Sequence, residues 1–308
     1  MLDARRLFQR NQRIVPQLSE VRRISLDATQ MQPGSTLRPI ARFFVDCDGT
    51  EAASVVIGHA EIFEREPTEY ALARLSWAPG QRDAARAVLS AAAQSAPAGE
   101  SVYFPVNAAV SSNHAERRGI AEACGFELFQ EKEGFWWTDT GQALPEPTRL
   151  HLHAMPHIGR DKFASVIGRC VAETLDRTDK LTVSRHQPPE WAATFLDHHA
   201  RSTDEHSWLL AETPDGTPVG FVGVTKRDTE PNSGVLTLIG VLPEQRGKRY
   251  VDDLLHAAYS AARARAMTGV LSLVDVQNHP MMAAMHRTAA SPDAHPWHKW
   301  LYVSNTPK

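Results

Sequence analysis

Cysteine is scarce in this 308-residue chain: Cys47, Cys124 and Cys170 are the whole set, and no Cys-x-x-Cys pair occurs. An odd, scattered set excludes a disulfide scaffold and argues against structural zinc, and it fits a reducing compartment. Long apolar runs are also missing. The longest stretch without Asp, Glu, Lys or Arg, Ser101 to Ala115, is broken by polar residues. It falls short of the roughly 20 apolar residues a membrane span needs. Residues 1–23 carry arginines but no apolar core of a signal peptide, so a cytoplasmic location and no membrane association are expected. Excess charge of one sign is absent, with a net charge of −3, which leaves no global case for nucleic acid. Neither a Walker loop nor a Gly-x-Gly-x-x-Gly fingerprint is present, which weighs against a nucleoside triphosphate or a dinucleotide. What remains is ordinary for a globular chain, 42% hydrophobic and 22% charged, and the length suits two domains. Only 7 of the 33 basic residues are lysine, which together with abundant alanine hints at a GC-rich bacterial genome.

A faint internal repeat divides the chain. Asp48-Gly49 separates two apolar runs, and Asp215-Gly216 does so again 167 residues later. Asp-Gly between apolar runs predicts a tight hairpin, because glycine accepts the positive φ that the turn demands. Asn113-His114 opens one helical pattern and Asn278-His279 another, 165 residues on. Between these markers each half has a strand-like run and then an amphipathic helix: Tyr70–Trp77 and Arg82–Ala93, then Val235–Leu242 and Lys248–Ala266. A linker-like stretch at Gly141–Thr148 sets the expected domains at 1–147 and 148–308. Further helices are predicted at Asp161–Leu175 and Pro189–His198. The fold expected is α/β (α+β), with a mixed, mainly antiparallel sheet flanked by helices in each half.

The segment from Ile239 to Val251 carries the chemistry. A buried-type strand ends at Pro243. The loop Glu244-Gln245-Arg246-Gly247-Lys248-Arg249 follows, and a helix starts whose residues Tyr250, Val251, Leu254, Leu255 and Ala258 share one face. Gly240 inside the strand predicts a bulge or a close backbone approach. A strand, a glycine-containing basic loop and a helix N-terminus make an anion site, because the first helical N–H groups lack partners in their own helix. Cations oppose the helix dipole at that end, so a merely solvated turn explains Arg246, Lys248 and Arg249 poorly. Three cations within four residues fit a diphosphate. His151, His153 and His157 lie close in sequence, but no cysteine or carboxylate completes a set, so no metal is expected. Cys170 reads as a small core residue within a helix.

The run from Ile239 to Val251 resembles the acyl-CoA-binding motif of the GNAT superfamily of N-acetyltransferases, in which a strand-to-helix loop wraps the coenzyme A diphosphate. Asp275-Val276-Gln277-Asn278-His279-Pro280-Met281 resembles that family's next strand and helix start, whose Asn meets the pantetheine arm. The resemblance covers about residues 149–305 well and the first half weakly, mainly at Gly125-Phe126, so the chain looks like a tandem pair of GNAT-like units. It implies acetyl-CoA or another acyl-CoA as co-substrate, bound by Ile239, Gly240, Val241, Arg246, Gly247, Lys248, Arg249, Tyr250, Val251, Asn278 and Met281. It implies direct acyl transfer to an amine of a small molecule by a monomer or homodimer. Three departures stand out. Arg249 occupies the family's first glycine position and Val251 its last small one. Met285 replaces the usual tyrosine acid, leaving the adjacent His286 as a candidate. Asp275, at the strand end, is the candidate base. In the first half the aligned loop Ala78-Pro79-Gly80-Gln81-Arg82-Asp83 has one cation and sets Asp83 opposite Arg249, so no CoA binding is expected there. A non-catalytic acyl-CoA-binding protein, an O-acyltransferase and a decarboxylase are the alternative readings.

Overall fold

The computed structural model describes residues 18–26, 37–60, 69–199, 205–227, 230, 232–288 and 298–305. In the first half, strands β1 (Arg22–Ser25), β2 (Leu37–Cys47), β3 (Thr50–Ala60) and β4 (Glu69–Trp77) precede helix α1 (Arg82–Gln94). Strand β5 (Ser101–Asn107), helix α2 (His114–Ala123) and strand β6 (Glu127–Thr138) follow. The second half begins with β7 (His151–Ala154) and helices α3 (Met155–Ile158), α4 (Arg160–Ala172), α5 (Arg177–Arg185) and α6 (Pro188–His199). It continues through β8 (Trp208–Glu212), β9 (Pro218–Lys226), β10 (Ser233–Val241), α7 (Tyr250–Arg263), β11 (Gly269–Asp275), α8 (His279–Arg287) and β12 (His298–Asn305).

Local chemistry explains most of these elements. The β2–β3 hairpin turns on Asp48 and Gly49, both at positive φ (51° and 81°), the backbone that lets a two-residue turn match the twist of its strands. The second Asp-Gly turn is wider, and only Gly216 has positive φ there. Helix α1 buries Ala84, Ala85, Val88, Leu89 and Ala92 against the first sheet half, and α7 buries Leu254, Leu255 and Ala258 against the second. Gly240 is a point of close approach: a Cβ there would lie 2.8 Å from the Cys170 Cβ. The register shift in β10 comes earlier, between Leu236 and Leu238.

The described strands form a 12-stranded sheet in the order β1-β2-β3-β4-β5-β12-β6-β11-β10-β9-β8-β7. Pairing is antiparallel except at β4–β5 and β10–β11. The order interleaves the two halves. Strand β6, from the first half, pairs with β11 of the second, and β12 pairs with β5 of the first. β6 and β12 pair with each other at the centre. Core residues are exchanged with the strands: Trp300 and Tyr302 belong to the core of the first half, and Phe135 and Trp137 to that of the second. The Tyr302 hydroxyl fastens β12 to α2, accepting from Arg118 Nε (3.1 Å) and donating to Glu122 (2.9 Å). The sheet therefore passes between the two halves three times. Among the described residues no helix is long and apolar enough to cross a membrane.

Candidate active site in the C-terminal half

β10 and β11 pair over three positions only, Ser233 with Gly269 through Val235 with Leu271, and then separate. A cavity of about 320 Å³ occupies the cleft beyond the fork. Ten of the eleven residues expected to hold the acyl carrier line it. Ile239, Gly240 and Val241 form one wall, Arg246, Gly247, Arg249, Tyr250 and Val251 the end, and Asn278 and Met281 the other wall. The eleventh, Lys248, is exposed on the loop, where its Nζ donates to Gln245 Oε1 at 2.9 Å.

The loop is built as an anion nest. Gly247 and Arg249 both have positive φ (81° and 60°). Among the described residues the amides of Gly247, Lys248 and Arg249 find no backbone acceptor. In the first turn of α7 the Asp252 amide bonds back to Arg249 O (3.0 Å), while those of Tyr250 and Val251 have no acceptor in their own helix. Successive outward amides of this kind cradle phosphate oxygens. The carbonyls face the other way, toward Arg149, which donates to Lys248 O (3.0 Å) and Arg249 O (3.4 Å), pairs with Asp253, and lies 5.0 Å from the Tyr250 ring centre. Arg149 braces the loop from 99 residues away, and no local sequence pattern points to it. Arg246 also does structural work. Its guanidinium donates to Val241 O (3.2 Å) and to Glu173 O (3.1 Å), joining the end of β10 to the end of α4.

Arg249 caps α7 in the left-handed region with no side-chain cap bond. That backbone costs a non-glycine residue about 1–2 kcal/mol. Arg249→Gly is accordingly expected to stabilise the chain by roughly 0.5–1 kcal/mol in urea unfolding. A loss of stability instead would show that the Arg249 side chain supports the loop.

The two residues expected to move protons stand elsewhere. Asp275 is fully buried and its carboxylate is spoken for. Oδ2 accepts from Arg177 N (3.1 Å), Arg177 Nε (2.9 Å) and Gln130 Nε2 (2.9 Å). Oδ1 accepts from Arg177 NH2 and Gln277 N, both at 2.9 Å. Although burial opposes ionisation, these bonds hold its pKa down at about 2. So firmly held an anion is a structural hub rather than a base. His286 sits on the exposed face of α8, edge-on to Phe135 at 5.2 Å, and does not line the cavity. Met285 is fully buried beside it. The Cys170 thiol, at the cavity wall, is pushed up to about 12 by burial, which keeps it inert.

A different carboxylate has the properties of a base. Asp179, on α5, lies near Thr174, and Thr174 lines the cavity. Burial, then repulsion from Asp176, raises the Asp179 pKa to about 7, against the opposing pull of Lys132 and Thr174. Asp176 caps α5 through Thr178 N (2.8 Å) and pairs with Lys132 (2.9 Å). Sequence offered little hint of this cluster, since Thr174, Asp176 and Asp179 gather at the start of α5 but Lys132 comes from β6, and none sits in a motif.

The corresponding fork in the first half, between β4 and β5, is bridged by a side chain. Arg117 lies 5.1 Å from the Trp77 ring at the end of β4 and donates to Asn113 Oδ1 (2.8 Å) at the start of α2. The first turn of α1 presents Asp83, exposed and paired with Arg86.

Comparison with known proteins agrees with this geometry. Residues 172–289 match the profile of the acetyltransferase (GNAT) family, a span that contains the cleft, the loop and α8. That span is a GNAT-family domain. Among solved structures, a GCN5-related N-acetyltransferase from Sphaerobacter thermophilus superposes with a TM-score of 0.59 at 15% identity, covering 92% of this chain and 84% of that one. A tandem GNAT protein from the clavulanic acid biosynthesis pathway gives 0.56 at 16%, covering 90% and 85%. A GNAT-family acetyltransferase from Colwellia psychrerythraea gives 0.54 at 11%, covering 92% and 100%. At these identities the likeness is one of fold, and it spans both halves: the chain is a tandem of GNAT-like units. No curated protein matches. Among the described residues no three His, Cys, Asp or Glu side chains are grouped to hold a metal.

Proposed function

We propose that the C-terminal GNAT half transfers an acyl group, acetyl in the first instance, from coenzyme A to the amine of a small molecule, and that the first half binds no coenzyme. The observation that carries this reading is the forked-strand cavity ending in the outward amides of Gly247 to Arg249. The loop and the exposed Lys248 and Arg249 take the diphosphate, and the fork takes the pantetheine arm. Leu242 N donates to Val219 O at 2.9 Å. N–H groups alternate sides along a strand, so that of Val241 faces the open fork, where it can stabilise the oxyanion of the thioester. The amine nitrogen bonds to the carbonyl carbon, the C–S bond breaks, and the coenzyme leaves as thiolate. The proton lost by the amine passes through the Thr174 hydroxyl to Asp179, and a solvent proton converts the thiolate to thiol.

Titration of acetyl-CoA tests the reading. Wild-type protein is expected to bind one equivalent with micromolar affinity. Lys248→Glu/Arg249→Glu, two exposed charge reversals, is expected to weaken binding at least about tenfold, or about 1.4 kcal/mol. No binding at millimolar acetyl-CoA would overturn the proposal. Buried Met285 favours one other reading, in which acyl-CoA binds without turnover; release of free thiol with any amine excludes it.

Asp179→Asn tests the base. General bases contribute typically 10²–10⁴-fold, so kcat/KM is expected to fall about 100-fold and to lose its rise near the pH of about 7 set by Asp179. The folded state holds the Asp179 proton more tightly than the unfolded chain does. The stability this gives is complete below pH ~4 and is lost as pH rises through about 7. The variant should therefore gain stability relative to wild type between pH 4 and 8, which separates loss of the base from a folding defect. An unchanged pH–rate profile would remove Asp179 from the mechanism.

A further inference from the structure

A second cavity, of about 330 Å³, opens where β5, β12 and β6 lie side by side. Asn107 of β5, Gln130 and Lys132 of β6, and Lys299 of β12 line it. In the strand register Lys299 stands directly opposite Asn107 on one side and Lys132 on the other. Directly opposed residues share a face of the sheet, and like charges so placed repel. Lys132 is compensated by Asp176 at 2.9 Å. Lys299 is not: among the described residues it forms no hydrogen bond or ion pair. Desolvation beside the groove, with the positive charges of Lys132 and Arg227, lowers its pKa. The groove thus offers a cation and the Asn107 amide with no protein carboxylate on Lys299. A chain of contacts links it to the first cavity. Gln130 lines the groove and donates to Asp275 at 2.9 Å, and the turn after Asp275 carries Asn278 into the first cavity's wall.

We infer that this groove seats a carboxylate or phosphate of the acceptor on Lys299 and Asn107, so that the acceptor is an amine bearing a negative charge. The inference rests on the transferase reading for the role of acceptor, while the anion site itself does not. It also gives the first half a part in selectivity, since Asn107 is a first-half residue and β12 is held in the first-half core.

Thermal unfolding of wild-type, Lys299→Met and Lys299→Arg protein tests it, with coenzyme A saturating so that the diphosphate loop is filled. The ligands are acetate, phosphate, β-alanine and phosphoethanolamine, against propylamine and ethanolamine at equal ionic strength. The anionic compounds should raise the wild-type Tm by a few degrees and the neutral-tailed amines should not. Lys299→Met should lose the rise and Lys299→Arg keep it. A larger response to acetate and β-alanine than to phosphate and phosphoethanolamine would identify the carboxylate, and the reverse the phosphate. Equal responses in wild type and Lys299→Met, or none in wild type, would overturn the inference. A failure of coenzyme A itself to raise Tm would count against the transferase reading and leave the anion comparison readable.

Discussion

A chain cut off before His298 is expected not to reach a native state. Strand β12 lies between β5 and β6, seven of its residues pairing with β5 and six with β6. Its removal exposes two edges in the middle of the sheet, each a template for aggregation. It also empties the first-half core of Trp300, 5% exposed, and Tyr302, fully buried. Truncating a large buried side chain costs about 3–5 kcal/mol, so losing two aromatics and a double ladder exceeds the 5–15 kcal/mol by which domains are typically stable. Loss of near-UV circular dichroism and of a cooperative urea transition are the expected readouts. A peptide spanning residues 298–305, added in trans, should restore part of both. A truncated chain that still unfolded cooperatively, with an unchanged midpoint, would show that the first half closes without β12. The same pairing predicts that neither half folds alone when separated at the 147/148 linker.

Asp275→Ala should cost about 3–5 kcal/mol, the scale for removing one partner of a buried ion pair and leaving the other charge uncompensated. Five hydrogen bonds converge on this carboxylate, from α5, from β6 and from its own turn. It therefore joins a strand of the first half to a strand and a helix of the second. Its pKa is held near 2, below the ordinary carboxylate value. The stability it contributes is complete above pH ~4 and is lost as pH falls toward 2. Wild-type protein should show this acid limb, and the variant should not. Urea unfolding from pH 7 down to pH 3 measures both. A stable Asp275→Ala protein lacking only activity would return Asp275 to the role of base.

The loop from Ile239 to Val251 was legible in sequence because its parts are contiguous. A strand, a turn and a helix start follow one another, and the groups proposed to meet the diphosphate are largely backbone. Asn278 was legible for the same reason, as the cap of α8. The proton-handling groups were not. Asp275 ends a strand in sequence, but Gln130 and Arg177, 145 and 98 residues away, decide that it is a buried hub. Asp179 owes its raised pKa to burial first and then to Asp176, and its link to the cavity to Thr174. Neither environment exists until the chain has folded. His286 looked available because it adjoins Met285, but adjacent helical residues point about 100° apart. The interleaving of β6 and β12 was invisible because each strand's alternation states which face is buried and says nothing about which neighbour lies beside it.

That interleaving sets the order in which the molecule can be assembled. Ser101 in β5 finds its partner in Asn305, so the edge of β5 is synthesised some two hundred residues before the strand that covers it. During translation the first half has its helices and five strands but no closing element of its own, because β6 is committed to a sheet half not yet made. Contacts between residues so distant in sequence form slowly, and an exposed strand edge attracts other chains while it waits. The protein should therefore fold as one late event rather than as two successive domains, and refold slowly, with yields that drop steeply as concentration rises.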